Sequence, residues 1–169
     1  MKYIFQIIAF TILISSYALA QPPAEPPAQT VPAFTFYKPD KAAFTNKNVA
    51  QNKPLFFFFF DTDCDHCQLA MTNLNQHYQD YQKAAIYLIS VDDWGKINGF
   101  INKYAANLKG IANVTLLQDT KNEFIDKFKP VKYPSMFLYS PENKLIDYED
   151  NEYSMFRFLK HLNPPVKMS

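Results

Sequence analysis

An α/β sandwich, with a mixed central sheet and helices on both of its faces, is the fold class that the sequence predicts. Strand-like apolar segments alternate with helix-like segments over most of the chain, which is typical of this class. The segment 55–60, a leucine followed by five phenylalanines, is apolar on both faces, as expected of a central strand covered by helices from both sides. Two further strands and a helix end the pattern, so the sheet should contain antiparallel as well as parallel neighbours.

The first 20 residues predict a signal peptide. Met1-Lys2 is short and basic, the stretch 4–14 is almost unbroken apolar sequence, and Ala18-Leu19-Ala20 fits the small-x-small cleavage pattern. A membrane anchor is the alternative, but the apolar stretch is short of the ~20 residues that span a bilayer. We therefore expect cleavage after Ala20 and export to the periplasm or the medium, where disulfides can persist.

Residues 21–32 predict an extended linker, because they are rich in proline and have little apolar surface to bury. The segment 33–163 then has the size of one domain, and 164–169 form a short C-terminal tail. The formal net charge is +1 and no basic cluster is visible. This charge pattern argues against nucleic acid as a partner.

The elements of the domain follow in order from local patterns. Apolar residues on either side of the turn 38–41 predict an N-terminal β-hairpin with strands at 34–37 and 42–45. The central strand 55–60 comes next, and its five consecutive phenylalanines favour burial because an exposed edge of this composition would invite aggregation. The helix-like segment 64–81 follows this strand directly.

The second half of the domain continues the alternation of strands and helices. Apolar periodicity predicts a strand at 85–91, a helix at 94–106, a strand at 114–117 and a short helix at 121–128. The turn Pro141-Glu142-Asn143-Lys144 joins two further strands, and a closing helix follows them. The bounds predicted for these last elements are 135–139, 145–148 and 154–162.

The only two cysteines of the chain stand together, as Cys64-Asp65-His66-Cys67. This spacing lets two sulfurs form and reopen a disulfide across the first turn of a helix, which points to redox chemistry. Cys64 would lie at the amino end of its helix, where backbone N–H groups and the helix dipole stabilise a thiolate. We therefore expect Cys64 to be the attacking sulfur and Cys67 the resolving one.

Charged neighbours should tune the redox behaviour of this pair. A protonated His66 would favour the thiolate of Cys64 and raise the reduction potential. Asp65 inside the motif, together with Asp61 and Asp63 before it, would act in the opposite direction. Because His66 stands inside the motif, we predict a pair that is less reducing than a cytosolic thioredoxin.

The chain resembles the thioredoxin superfamily in the order of its elements. A strand is followed by Cys64-x-x-Cys67 and a helix, and residues 131–135 stand much later, directly before another strand. The N-terminal hairpin, the inserted helix and strand within 94–117 and the following Asp119 narrow the resemblance to its exported TlpA-like or redoxin-type branch. The resemblance covers essentially 33–162. It implies a thioredoxin-like fold and thiol:disulfide oxidoreductase activity.

The resemblance also implies roles for single residues and for partners. In this superfamily a proline at the position of Pro134 is cis and lies against the cysteine pair, and Tyr133 before it would offer its backbone to the substrate. The redox-active disulfide of Cys64 and Cys67 would be the only cofactor, without a metal. We expect a monomer that acts on protein thiols and disulfides and exchanges electrons with a membrane or periplasmic redox partner.

Three features depart from the pattern of the superfamily. Asp63 stands where tryptophan is common, and Asp65-His66 stand where Gly-Pro is frequent. The buried acid of cytosolic thioredoxins would fall within the phenylalanine run, so Asp92 or Asp93 after the next strand are the candidate substitutes. A histidine before the second cysteine resembles the strongly oxidising DsbA group, but the helical insertion of that group is missing.

Several alternatives remain open from the sequence. The cysteines could hold structural zinc, or bind copper or zinc together with His66 or His77 as a carrier module. A redoxin-type thiol peroxidase is a further alternative, although the proline and threonine usual upstream of a peroxidatic cysteine are not visible. The domain could also be a redox-inactive interaction module. We expect His77 and His161 to be helix-surface residues.

Overall fold

The structure is a computed structural model and describes residues 25–164. The predicted signal peptide, the first part of the predicted linker and all but the first residue of the predicted tail lie outside these residues. Within 25–164, no helix combines the length and apolar character needed to cross a membrane.

The described residues form seven strands and four α-helices, most of them within two residues of their predicted bounds. The strands are β1 (Thr35–Tyr37), β2 (Ala43–Thr45), β3 (Leu55–Phe59), β4 (Ala85–Ser90), β5 (Val114–Gln118), β6 (Ser135–Tyr139) and β7 (Leu145–Glu149). The helices are α1 (Asp65–Gln76), α2 (Trp94–Tyr104), α3 (Glu123–Phe128) and α4 (Leu159–Leu162).

All seven strands belong to one sheet, in the order β2-β1-β5-β4-β3-β6-β7. Strands β3, β4 and β5 run parallel, whereas β6, β7 and the N-terminal hairpin pair antiparallel. The predicted mixed sheet is therefore confirmed, and so is the antiparallel pair of strands near the C-terminus.

Strand β3 lies inside the sheet and all of its residues are buried. Phe56 and Phe58 point into the core formed with α1 and α2, while Phe57 and Phe59 point into the core formed with β1 and α3. This alternation follows from the two-residue period of a strand. The phenylalanine run thus fills both cores at once, as its position in the sequence predicted.

Two predicted helices are broken in the structure. The first, predicted over 64–81, is α-helical only to Gln76 and continues after His77 as a 3₁₀ turn. The last, predicted over 154–162, begins with a 3₁₀ segment before α4. The two 3₁₀ segments are joined by the buried Tyr81, whose hydroxyl donates to the backbone oxygen of Met155 at 2.7 Å. This long-range contact accompanies the tighter winding of both segments.

The segment 28–31, which the sequence places in the linker, lies against the domain. The N–H of Val31 donates to the oxygen of Asn143 at 3.0 Å, and the N–H of Leu145 donates to the oxygen of Gln29 at 2.9 Å. Regular contacts with the domain therefore begin before the predicted boundary at residue 33. The physical reason is that an edge strand accepts any extended segment whose N–H and C=O groups are free to pair.

Candidate active site

Cys64 and Cys67 lie in the first turn of α1, close to each other. Cys64 is the N-cap residue, with an extended backbone, and its sulfur accepts a hydrogen bond from the N–H of Cys67 at 3.3 Å. The side chain of Cys64 is half-buried, whereas Cys67 is fully buried. One sulfur can therefore meet a large partner while the other is held inside the protein.

The surroundings of Cys67 favour its protonated form. Burial raises the pKa of the Cys67 thiol well above its usual range, and a hydrogen bond with Cys64 raises it further. The backbone N–H of Asp61 bonds the sulfur and lowers the pKa, but this effect is smaller than that of burial. Cys67 is consequently a thiol at neutral pH.

The loop that presents Cys64 is anchored from β4 by Asp92. The carboxylate of Asp92 accepts hydrogen bonds from the N–H of Thr62 at 3.0 Å and from its hydroxyl at 2.8 Å. Burial raises the pKa of Asp92, but these bonds and the nearby Lys96 outweigh it and hold the pKa below its usual range. These bonds show that Asp92 positions the loop, while a part for this carboxylate in proton transfer stays a prediction from the sequence. Asp93 caps α2.

The second residue inside the motif, His66, contacts a residue that the sequence analysis missed. Its Nδ1 lies 2.8 Å from Oε1 of Glu152, in the loop after β7. His66 is 68% exposed and Glu152 only 13%. The pKa of Glu152 lies below its usual range, mainly because its carboxylate accepts a hydrogen bond from its own backbone N–H. Burial raises this pKa, and the contact with His66 lowers it further. The ionised Glu152 can accept a hydrogen bond from Nδ1 of His66.

Nothing local in the sequence marks Glu152 as part of the site, because it lies 86 residues from His66. Asp65, the other residue inside the motif, is exposed in the first turn of α1. Asp63 is bound by the ammonium of Lys96 at 2.8 Å. This ion pair partly neutralises the negative charge of Asp63 beside Cys64.

The loop before β6 lies beside the cysteine motif. Ser135 pairs with Phe59, so the start of β6 lies at the end of β3, from which the chain continues towards Cys64. The Tyr133–Pro134 peptide bond is cis. The ring of Tyr133 packs on Phe59 with centroids 4.8 Å apart.

Burial raises the pKa of Tyr133 to about 12, and the negative charges of Asp61 and Asp92 add to this effect. The Tyr133 phenol is therefore neutral at every physiological pH and can donate a hydrogen bond.

The remaining histidines lie elsewhere. His77 ends α1, ten residues beyond Cys67 and so about 15 Å along the helix, and contacts Phe156 edge-on. His161 lies 3.2 Å from Asp147 on β7. Within residues 25–164, no three histidine, cysteine or acidic side chains form a group that could hold a metal ion.

Comparison with known proteins relates this arrangement to redox enzymes. A model of the AhpC/TSA family matches residues 27–148. Among solved structures, a secreted Mycobacterium tuberculosis disulfide oxidoreductase homologous to E. coli DsbE is 19% identical, with a TM-score of 0.62, over 76% of this chain and 95% of that one. The thioredoxin domain of a Bacteroides vulgatus thiol-disulfide oxidoreductase is 18% identical, with a TM-score of 0.64, over 81% and 97%.

A peroxide-reducing protein has the same fold. Peroxiredoxin Q of Xanthomonas campestris is 18% identical, with a TM-score of 0.61, over 76% of this chain and 89% of that one. No curated protein matches the chain. At these identities the solved structures establish the thioredoxin-like fold. The family model covers well over half of the chain and includes both cysteines and the proline loop, so the chain belongs to the AhpC/TSA family and is a redoxin-type oxidoreductase of the thioredoxin superfamily.

Proposed function

We propose that this oxidoreductase exchanges disulfides with protein substrates through Cys64 and Cys67, outside the cytoplasm. The observation that carries the proposal is the asymmetry of the pair. Cys64 is reachable and caps a helix, whereas Cys67 is buried, protonated and one turn away. This arrangement suits a pair in which one sulfur attacks and the other resolves.

In the reductive direction, the thiolate of Cys64 attacks one sulfur of a substrate disulfide. The new bond joins Cys64 to that sulfur, the substrate S–S bond breaks, and its electron pair leaves on the second substrate sulfur. Cys67 then loses its proton and attacks the sulfur of Cys64. The Cys64–Cys67 disulfide forms, the mixed disulfide breaks, and the substrate leaves as a dithiol that has gained two electrons and two protons.

The timing of the second step follows from the pKa of Cys67. The hydrogen bond and the charge of Cys64 both raise this pKa, although burial is the largest cause. Once Cys64 is bound in a mixed disulfide, its charge is gone and the pKa of Cys67 falls. Burial still favours the protonated thiol, so Cys67 has to give up its proton as it attacks the mixed disulfide.

We expect proteins rather than small molecules as the main substrates, because Cys64 is half-buried and lies near the loop of Tyr133 and Pro134. Tyr133 would offer its backbone to an extended substrate segment next to Pro134, beside the half-buried sulfur of Cys64. The predicted signal peptide and the secreted Mycobacterium tuberculosis relative support an extracytoplasmic location.

Trapping of mixed disulfides tests the proposal. Cys67→Ser should accumulate covalent adducts with a disulfide-containing protein, because Cys64 can still attack but nothing resolves the intermediate. Non-reducing electrophoresis should show the adduct, and dithiothreitol should release it. Cys64→Ser is the matched control and should form none. Equal adduct formation by both variants would contradict the assignment of Cys64 as the attacking sulfur.

The potential of the pair is a second expected result. We expect a value above about −270 mV, because His66, when protonated, adds positive charge near the Cys64 sulfur and favours the thiolate of the reduced form. Titration against glutathione measures this value. His66→Gln should lower it by about 30 mV for each pKa unit by which the thiolate is destabilised. His77→Gln, on the same helix but remote, is the control and should leave it unchanged.

A thiol peroxidase is the second candidate, because the family model and the Xanthomonas campestris neighbour both favour it. The thiolate of Cys64 would then attack a hydroperoxide, whose O–O bond breaks to leave an alcohol or water and a sulfenic acid on Cys64. Cys67 would displace water from that sulfenic acid and form the Cys64–Cys67 disulfide. Consumption of hydrogen peroxide in the presence of a thiol reductant separates the two candidates. A rate for peroxide far above that for a protein disulfide would favour the peroxidase.

A further inference from the structure

A polar groove of about 310 Å³ runs between α1 and α2 and begins beside Cys64. We call it the α1–α2 groove. The lining residues used below are Thr62, Asp63, Gln68, Lys96, Gly99 and Lys103. Thr62 and Asp63 directly precede Cys64, and Gln68 lies one turn after it. A substrate held by the attacking sulfur therefore has this groove immediately beside it.

Gly99 keeps the groove open. It lies in the interior of α2, where glycine weakens a helix relative to alanine. A Cβ atom added at Gly99 would meet no atom within 4 Å, so close packing does not explain the glycine. The chain has only 3 glycines in total. A glycine in the interior of a helix, with no close packing to require it, therefore indicates a need for open space at this position. A side chain at this position would project into the space that a ligand needs.

The groove presents hydrogen-bond donors and positive charge. Lys96 and Lys103 lie seven residues apart, on the same side of α2. Lys96 is neutralised by Asp63 at 2.8 Å, but no carboxylate among residues 25–164 lies within 4 Å of the Lys103 ammonium. Lys103 lies instead over the ring of Tyr104, 4.8 Å from its centroid. One uncompensated cation therefore remains in the groove.

The amide of Gln68 adds a further donor. Its Oε1 accepts a hydrogen bond from the Tyr104 hydroxyl at 2.7 Å, which leaves the amide nitrogen to donate elsewhere. An ammonium and an amide N–H together suit a carboxylate, which accepts from both.

We propose that the α1–α2 groove binds a carboxylate of the disulfide substrate, held by Lys103 and Gln68 while Cys64 attacks the neighbouring disulfide. This inference rests on the proposed function and specifies which substrates the site prefers. The carboxylate belongs to an acidic residue near the attacked cysteine of a polypeptide, or to a small acidic disulfide such as glutathione disulfide.

Single-turnover kinetics with paired peptides test the proposal. Two peptides carry one disulfide each and differ only in glutamate or glutamine beside the attacked cysteine. The reduced protein should react about 5- to 10-fold faster with the glutamate peptide at low ionic strength, and salt should reduce this ratio. Lys103→Gln should bring the ratio close to one. Lys47→Gln removes the same charge outside the groove and should preserve the ratio.

Gly99 provides an independent arm of the test. Gly99→Leu should fold at least as stably as the natural chain, because the position is helical and open, but should slow the reaction with the glutamate peptide several-fold. Gly99→Ala, which adds only one carbon, should have a much smaller effect. Glutathione disulfide is tested in parallel. If Lys103→Gln slows the reaction with glutathione disulfide, a small disulfide can supply the carboxylate. If Lys103→Gln affects only the glutamate peptide, the carboxylate comes from a polypeptide.

The outcomes separate this inference from the proposed function. Equal rates for the two peptides, or a preference that survives Lys103→Gln, would overturn the carboxylate subsite and leave the disulfide exchange intact. If neither peptide reacts faster with the natural protein than with Cys64→Ser, the proposed function itself fails.

Discussion

Replacing Cys64 by serine is expected to reduce protein disulfide reduction to the rate of dithiothreitol alone. A serine hydroxyl is not ionised at neutral pH, so the variant lacks the thiolate that attacks the substrate disulfide. Insulin reduction, followed by turbidity, measures the effect. We expect the catalysed rate of disulfide reduction to fall by about 10³-fold or more, because no other group replaces the missing nucleophile. The background reaction of dithiothreitol sets the smallest rate that the assay can detect.

The fold should survive this substitution, which makes the result interpretable. Cys64 is the N-cap of α1 and its sulfur accepts a bond from the N–H of Cys67. Serine is among the most favourable N-cap residues and its hydroxyl accepts the same bond. The thermal midpoint of Cys64→Ser should therefore stay near that of the natural protein. Full insulin reduction by a folded Cys64→Ser variant would refute the enzyme mechanism.

The largest expected effect on stability is that of Phe57→Ala. Phe57 is fully buried in β3, and its ring lies 4.9 Å from that of Tyr87, 5.2 Å from that of Phe128 and 5.7 Å from that of Tyr139. Removing it leaves a cavity among rigid rings that cannot collapse into the space. We expect the free energy of unfolding to fall by about 3–5 kcal/mol. That is a large part of the 5–15 kcal/mol typical of a whole domain.

Urea unfolding measures this loss as a shift of the midpoint at constant slope. Tyr153→Ala provides the control, because this aromatic residue is 68% exposed. It should change the free energy of unfolding by no more than about 0.5 kcal/mol. Similar losses for the two variants would show that the phenylalanine run does not stabilise the domain in the way its burial implies.

Strand β3 and the start of α1 were predictable because an unbroken apolar run and a C-x-x-C motif are local signals. Strands β6 and β7 were equally clear, since a turn separates two short apolar segments. The 3₁₀ segments were not predictable, because the contact between Tyr81 and Met155 joins residues 74 positions apart.

The candidate site shows the same division. The spacing of Cys64 and Cys67 within one helical turn could be anticipated from the sequence. The role of Asp92 as an anchor of the loop could not be anticipated. An aspartate can serve in acid-base chemistry or in loop anchoring, and only its hydrogen-bond partners distinguish the two roles. The sequence suggested that this carboxylate assists proton transfer, and the structure adds that it accepts two hydrogen bonds from Thr62.

The sequence by itself determined the type and order of the strands and α-helices and the pair of cysteines, because each depends on residues that are neighbours in the chain. The tertiary structure alone decided that His66 meets Glu152, that Lys96 neutralises Asp63, and that a groove with a free cation opens beside Cys64. These contacts join residues 33 or more positions apart, and only the strand order and helix packing bring them together.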